Sequence, residues 1–307
     1  MGMELALQVE AQSGLNWPRW KRLAQAVEDL GFAALYRSDH LINMQPPDED
    51  ALELWTSLTW LAAETKRIEF GPLVSPVSFR HPVLTAHMAA AVDDLSGGRL
   101  RLGLGAGWAE REHRAYGFDL LPLAQRFDRF EEGLEVITRL FNSREPVDFA
   151  GQYYHLEQAV LRPLPQRPGG PAVVIGGRGS RRTLGLVVKY AQEWNTFRIP
   201  VETLAELKAR MDERLAAAGR DPASLRRTMM VNLVYGRDQA ELNRKLEGHS
   251  VEQLREKGVV GTANEIVDQL GAYAGLGVQR VMLQWFDMDD LALLEAVATH
   301  ILPQLKS

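Results

Sequence analysis

Asp39-His40 follows Arg37-Ser38, directly after the apolar run Phe32 to Tyr36. An imidazole changes charge near neutral pH. A histidine oriented by its surroundings can therefore exchange a proton or face a redox cofactor. A capping aspartate followed by a structural histidine has the same sequence. A second stretch, Gly105-Ala106-Gly107-Trp108, ends a run in which Leu100, Leu102 and Leu104 alternate with Arg101 and Gly103. Alternation of that period marks a strand. A strand end reduced to backbone lets a flat or phosphorylated ligand lie against the main chain. Gly105 to Trp108 would then be one wall of a cofactor site, although a tight strand-to-helix turn has the same composition. In Gly176-Gly177-Arg178-Gly179-Ser180, ahead of a helix, free backbone N–H groups, the helix dipole and the Arg178 cation are suited to phosphate. The Lys-Ser/Thr pair of a Walker loop is missing, and a glycine-rich loop with a serine cap is the alternative.

Two further stretches complete the inventory. Pro72 and Pro76 bracket Leu73-Val74-Ser75, so no regular ladder runs there. That segment reads either as a bulge pushing backbone into a binding site or as an ordinary strand exit. Glu110, Glu112 and His113 follow Trp108, but their spacing matches no helical ligand pair of the zinc motifs. They read as solvated charge, and no metal is expected.

Composition limits the partners. The 307 residues include 46% hydrophobic ones and no cysteine, and the formal charge is -5. Disulfides, thiolate catalysis and cysteine-ligated clusters are excluded. No basic surface invites nucleic acid, no apolar run spans a bilayer, and no signal-peptide pattern opens the chain. A cytoplasmic protein is expected, with any redox chemistry drawn from a bound cofactor.

The elements that must position these residues alternate. Strand patterns at Leu5-Val9, Phe32-Tyr36, Ile68-Gly71, Leu100-Leu104, Ala172-Ile175, Glu193-Asn195, Thr228-Val234 and Val278-Gln284 are separated by helical periodicities. The helices include Pro82 to Asp94, Leu123 to Phe141, Val201 to Ala218 and Asp289 to Leu305, and another opens on the Thr262/Glu265 capping box. The tryptophans of the first helix read as core. A small β excursion occupies residues 142–170, and residues 236–260 carry no clear pattern. Eight such units in one domain over residues 1–307 predict a closed parallel (β/α)8 TIM barrel with insertions. An open doubly wound sheet usually carries a glycine turn after its first strand; here Glu10-Ala11-Gln12 stands there. In a barrel, ligands sit at the carboxyl ends of the strands, where the unusual residues fall.

The chain resembles the bacterial luciferase-like monooxygenase superfamily. The resemblance rests on Phe32 through His40, on Ser96-Gly97-Gly98-Arg99 through Trp108, and on His113-Arg114-Ala115-Tyr116-Gly117. Arg126-Phe127-Asp128-Arg129, Gly151-Gln152-Tyr153-Tyr154 and Val174-Ile175-Gly176-Gly177 extend it. Within the superfamily it is most similar to the branch using the deazaflavin coenzyme F420; FMN is the alternative. The resemblance implies that the cofactor ring lies in the barrel mouth, propped by a non-prolyl cis bond at Leu73–Val74. Asp39, His40, Ser75, Gly105, Ala106 and Gly107 would surround it, with Trp108 beside them and Gly176, Gly177 and Arg178 near the phosphate. Where the sugar-phosphate dehydrogenases of the superfamily carry a glutamate as proposed acid, this chain has Trp108, which argues against glucose 6-phosphate oxidation by that mechanism.

These expectations combine into an F420-dependent oxidoreductase. It would reduce an activated C=C, C=N or carbonyl in a fairly apolar small molecule, with His40 as acid or orienting group and Asp39 beside it. The alternatives are an FMN-dependent monooxygenase fed by a partner reductase and a non-catalytic flavin-binding barrel. A homodimer is expected through the second and third helices, where Leu54, Leu58, Leu61, Val83, Met88 and Val92 are apolar.

Overall fold

Glu4 to Val9 alternates, and the alternation sorts its side chains. Leu5, Leu7 and Val9 enter the large core, while Ala6 joins a separate cluster with Ala34, Tyr36, Leu73, Val174, Met230 and Met282. The two clusters are the layers between strands and helices and the inside of a barrel, as period-two side chains require. The computed structural model describes residues 2–246, 248–256 and 258–305.

The first half contains β1 (Glu4–Val9), α1 (Trp17–Asp29), β2 (Ala34–Arg37), α2 (Leu54–Glu64), β3 (Glu69–Pro72), β4 (Ser75–Pro76), α3 (Pro82–Leu95), β5 (Arg101–Gly105), α4 (Glu110–Tyr116) and α5 (Leu123–Asn142). A hairpin of β6 (Val147–Ala150) and β7 (His155–Ala159) follows, antiparallel and outside the main sheet. Then come β8 (Ala172–Gly176), α6 (Arg181–Tyr190), β9 (Glu193–Phe197), α7 (Val201–Ala217) and β10 (Arg226–Tyr235). The chain closes with α8 (Gln239–Lys245), α9 (Val251–Arg255), β11 (Gly258–Gly261), α10 (Ala263–Gly275), β12 (Arg280–Trp285), α11 (Leu291–His300) and α12 (Leu302–Leu305).

Among the described residues, β1, β2, β3, β5, β8, β9, β10 and β12 are the staves of a parallel barrel, with β1 joined to both β2 and β12. A Phe70–Leu100 bridge brings β3 against β5, and β4 resumes the interrupted third stave by pairing with β5. The (β/α)8 expectation is met. The floor is sealed by charge. Arg280, 2% exposed, donates to Glu4 Oε2 and to the Tyr36 hydroxyl at 2.8 Å, and pairs with Glu69 at 2.6 Å. Burial raises the Glu69 pKa, but Arg101 and Arg280 overcome that and hold it down at about 2. The mouth is the end left for a ligand.

Several local expectations are corrected. Glu110 to Tyr116 forms a helix that charge patterning had hidden, and residues 236–260 supply α8, α9 and the β11 strand beside β10; Glu247 and Lys257 lie outside the described residues. The last helix is interrupted at Ile301, ahead of Pro303, which has no N–H to continue it. Trp20 is core, but Trp17 is 37% exposed and meets Trp60 edge-on. Leu54, Leu58, Leu61 and Val92 are buried within the chain itself, so they offer no dimer surface; Val83 and Met88 are half-buried, and the large apolar side chains exposed on α3 are Leu84 and Leu95.

Candidate active site

β2 ends at Arg37, and the next residues turn over the rim of the mouth. Asp39, buried, accepts from Ser75 Oγ at 2.6 Å and from Arg80 Nη1 at 2.5 Å; Arg80 also pairs with Glu53. Burial pushes the Asp39 carboxyl up, against the opposing pull of Arg80 and Ser75. Asp39 thus ties the second stave to the interrupted third one and is turned away from its sequence neighbour. The ring of His40 is held from α4 instead. Its Nδ1 lies 2.9 Å from Glu112 Oε2, and Glu112 Oε1 accepts the Leu41 N–H at 2.5 Å. Burial disfavours the charged ring. The Glu112 hydrogen bond and charge, reinforced by Glu10 and Asp39, outweigh it and hold the His40 pKa above its ordinary value. Trp108 meets the ring edge-on at 5.5 Å between centroids and is itself 61% exposed.

The reading of Glu112 and His113 as solvated charge is therefore wrong: both are buried. Their side chains face inward from one turn of α4 and are fully occupied there. His113 Nδ1 lies 2.7 Å from the Ala109 carbonyl and Nε2 lies 2.8 Å from Ser78 Oγ. Glu110, two residues earlier, is exposed.

The Leu73–Val74 peptide is cis, and Val74 packs against the cluster inside the barrel. A Cβ added at Gly105 would stand 2.7 Å from Val74 Cγ2, and one at Gly176 would stand 3.5 Å from Val74 Cγ1. The bare strand end at Gly105 therefore makes room for Val74, where the sequence suggested room for a ligand. The pair forms an apolar pad at the bottom of the mouth. Ala106 and Gly107 continue the wall, half-buried. Gly107, at φ +84°, turns the chain toward α4 where an L side chain would be strained. Arg126 Nη1 donates to its carbonyl at 2.9 Å.

Across the mouth, Ser180 caps α6 by accepting from the Thr183 N–H at 3.2 Å. The Gly177 N–H is not free for phosphate; it donates to the Asn195 carbonyl at 2.9 Å, and Trp194 Nε1 donates to the Gly177 carbonyl at 3.0 Å. Arg178 is exposed and stands over the Phe197 ring at 5.7 Å. Among the described residues it has no ion-pair partner. Ligand anions can reach that cation.

Sequence reasoning missed the polar lining. Gln284 Nε2 donates to Glu10 Oε1 at 2.6 Å, and Gln12 and Gln8 direct amides to the same carboxylate at 3.1 and 3.3 Å. Gln8 Oε1 is buried with no partner. A cavity of about 160 Å³ continues from Gln284 to Asn232, Met230, Phe197, Arg198 and Arg178. The available signal was Gln8 at an inward position of β1 and Glu10 just past its end, where a packed core calls for apolar residues.

A family profile for luciferase-like monooxygenases matches residues 4–258. The chain is 28% identical over 308 residues to an F420-dependent hydroxymycolic acid dehydrogenase of Mycobacterium tuberculosis, covering 92% of this chain and 83% of the relative. It is 34% identical over 253 residues to a phthiodiolone/phenolphthiodiolone dimycocerosates ketoreductase of Mycobacterium kansasii, covering 78% of this chain and 66% of the relative. An F420-dependent secondary alcohol dehydrogenase, solved with an F420–acetone adduct, superposes at TM-score 0.85 over 100% of both chains, at 19% identity, and so attests the fold. With the barrel, the bulged third stave and the profile match in agreement, the chain belongs to the luciferase-like monooxygenase family.

Proposed function

We propose that this protein is an F420-dependent oxidoreductase that interconverts a carbonyl and the corresponding alcohol in a substrate with an apolar body. The observation that carries the reaction type is His40: Glu112 occupies Nδ1, so Nε2 is the nitrogen left for a substrate oxygen. The F420 reading draws on the mycobacterial dehydrogenase, and the carbonyl reading on the ketoreductase.

The residues present fit the coenzyme. Val74 and Trp108 offer apolar surfaces to a flat ring, and the buried, unpartnered Gln8 Oε1 is an acceptor below the mouth. Arg178 and the turn before α6 would hold the phosphate, and Ser75, already fixed on Asp39, would border the ring. When bound, the reduced coenzyme supplies a hydride in place of oxygen chemistry. The chain supplies the rest. It orients the carbonyl over the ring, keeps water away with Trp108 and Phe197, and delivers a proton from His40 Nε2 to the developing alkoxide. In the opposite direction the neutral ring takes the alcohol proton.

Turnover tests this directly. Reduced F420 should be reoxidised anaerobically in the presence of ketones such as cyclohexanone or acetophenone. Oxygen consumption with reduced FMN, and no ketone-dependent F420 oxidation, would instead make the protein a monooxygenase that needs a partner reductase.

A further inference from the structure

We propose that Glu112 is a positioning residue for His40: its carboxylate fixes the imidazole as the Nδ1–H form and so decides that Nε2 is the atom that exchanges the substrate proton. The inference rests on the proposed carbonyl–alcohol reaction.

The carboxylates near His40 divide the work. Asp39 is taken up by Ser75 and Arg80. Glu10 is taken up by the amides of Gln8, Gln12 and Gln284. Glu112 contacts the ring, and its second oxygen is pinned by the Leu41 N–H, one residue beyond the histidine. One carboxylate thus grips both the ring and the backbone that carries it. An ionised carboxylate accepts hydrogen bonds and donates none, so a neutral His40 facing it must carry its proton on Nδ1. Glu112 is fully buried, so no water competes for that geometry. Trp108, packed edge-on, hinders rotation of the ring out of it.

The proton balance follows. In reduction, a carbonyl carbon receives the hydride, its oxygen receives the Nε2 proton, and His40 is left neutral with its proton on Nδ1. In oxidation, Nε2 takes the hydroxyl proton as hydride leaves the carbon, and the imidazolium that forms stays against Glu112. A carboxylate on Nδ1 stabilises that cation in both directions.

The test is the tautomer of His40, read by 15N NMR of the ring nitrogens in the full-length protein and assigned by the signals lost in His40→Asn. Wild type should show a protonated Nδ1 and a bare Nε2 at high pH. Glu112→Gln keeps an oxygen for the Leu41 N–H but turns an amide N–H toward Nδ1. It should invert the tautomer to Nε2–H and lower the pH at which His40 titrates. kcat for ketone reduction by reduced F420 should fall at least tenfold, with KM and F420 affinity within about twofold of wild type. Glu112→Asp should keep the wild-type tautomer. An Nε2–H form in wild type would overturn the inference even if Glu112→Gln did not fold. So would a folded Glu112→Gln with unchanged tautomer and titration. F420 affinity, measured on the same samples, reports separately on the functional reading, since its absence in wild type would remove the reaction but leave the tautomer measurable.

Discussion

Gly105→Ala probes the apolar pad most directly. The new Cβ would stand 2.7 Å from Val74 Cγ2, whereas packed carbons sit roughly 3.5–4.0 Å apart. Val74 must retreat by about 1 Å. Val74 also faces the bare backbone of Gly103, where an added Cβ would stand 3.2 Å from its Cγ1. Overpacking of this kind costs about 1–3 kcal/mol, which for a chain of this size lowers Tm by roughly 2–6 °C. A displaced Val74 pad should also weaken F420 by about tenfold, equivalent to about 1.4 kcal/mol. Thermal unfolding and a fluorescence titration with F420 measure the two effects. Val74→Ala in the Gly105→Ala background removes the clashing methyl groups and should recover most of the lost Tm. If Gly105→Ala matches wild type in both Tm and affinity, Val74 does not fill the space beside Gly105 and the pad is misassigned.

Other consequences follow from the same geometry. His40→Ala should lower kcat by ~100-fold or more while F420 affinity changes little; His40→Asn retaining most activity would reduce the residue to an orienting role. Arg178→Ala should weaken F420 by ~1.5–3 kcal/mol, the range for a hydrogen bond to a charged group, with no effect on the deazaflavin chromophore lacking the phosphate. His40 is held above its ordinary value in the fold, so its pairing with Glu112 adds stability that is fully present below the unfolded pKa of about 6.5 and is lost as pH rises through the folded pKa. Urea unfolding should therefore show the wild-type advantage over Glu112→Gln shrinking between mildly acidic and alkaline pH; a constant difference would contradict the pairing. With Leu84 and Leu95 exposed on α3 at 58% and 52%, light scattering should find a dimer that Leu84→Glu dissociates.

Much of the fold was legible because period-two and helical patterns alternate along the chain and their strand ends collect glycine, proline and histidine. β1 shows both how far that reaches and where it stops. Leu5, Leu7 and Val9 announce the strand, but Gln8 between them and Glu10 just after them resemble a solvated face unless the barrel is already known. At Gly105 the bare backbone signalled a close approach, but the group that approaches is Val74 and not a ligand. The candidate site was hidden where a side chain acquires meaning from a distant partner. Asp39 stands next to His40 in sequence yet belongs to Arg80, whereas Glu112, 72 positions away, holds the ring. Nothing in Glu110-Arg111-Glu112-His113 reveals that its second glutamate is buried and its first exposed. That sorting comes from how a seven-residue helix lies against the mouth.

The most direct measurement of the central claim is equilibrium binding of oxidised F420 and of FMN to the purified, cofactor-free protein, read by ligand fluorescence at fixed ionic strength. F420 should bind in the micromolar range or tighter, and at least tenfold more tightly than FMN. Micromolar FMN binding with no detectable F420 binding would contradict the account.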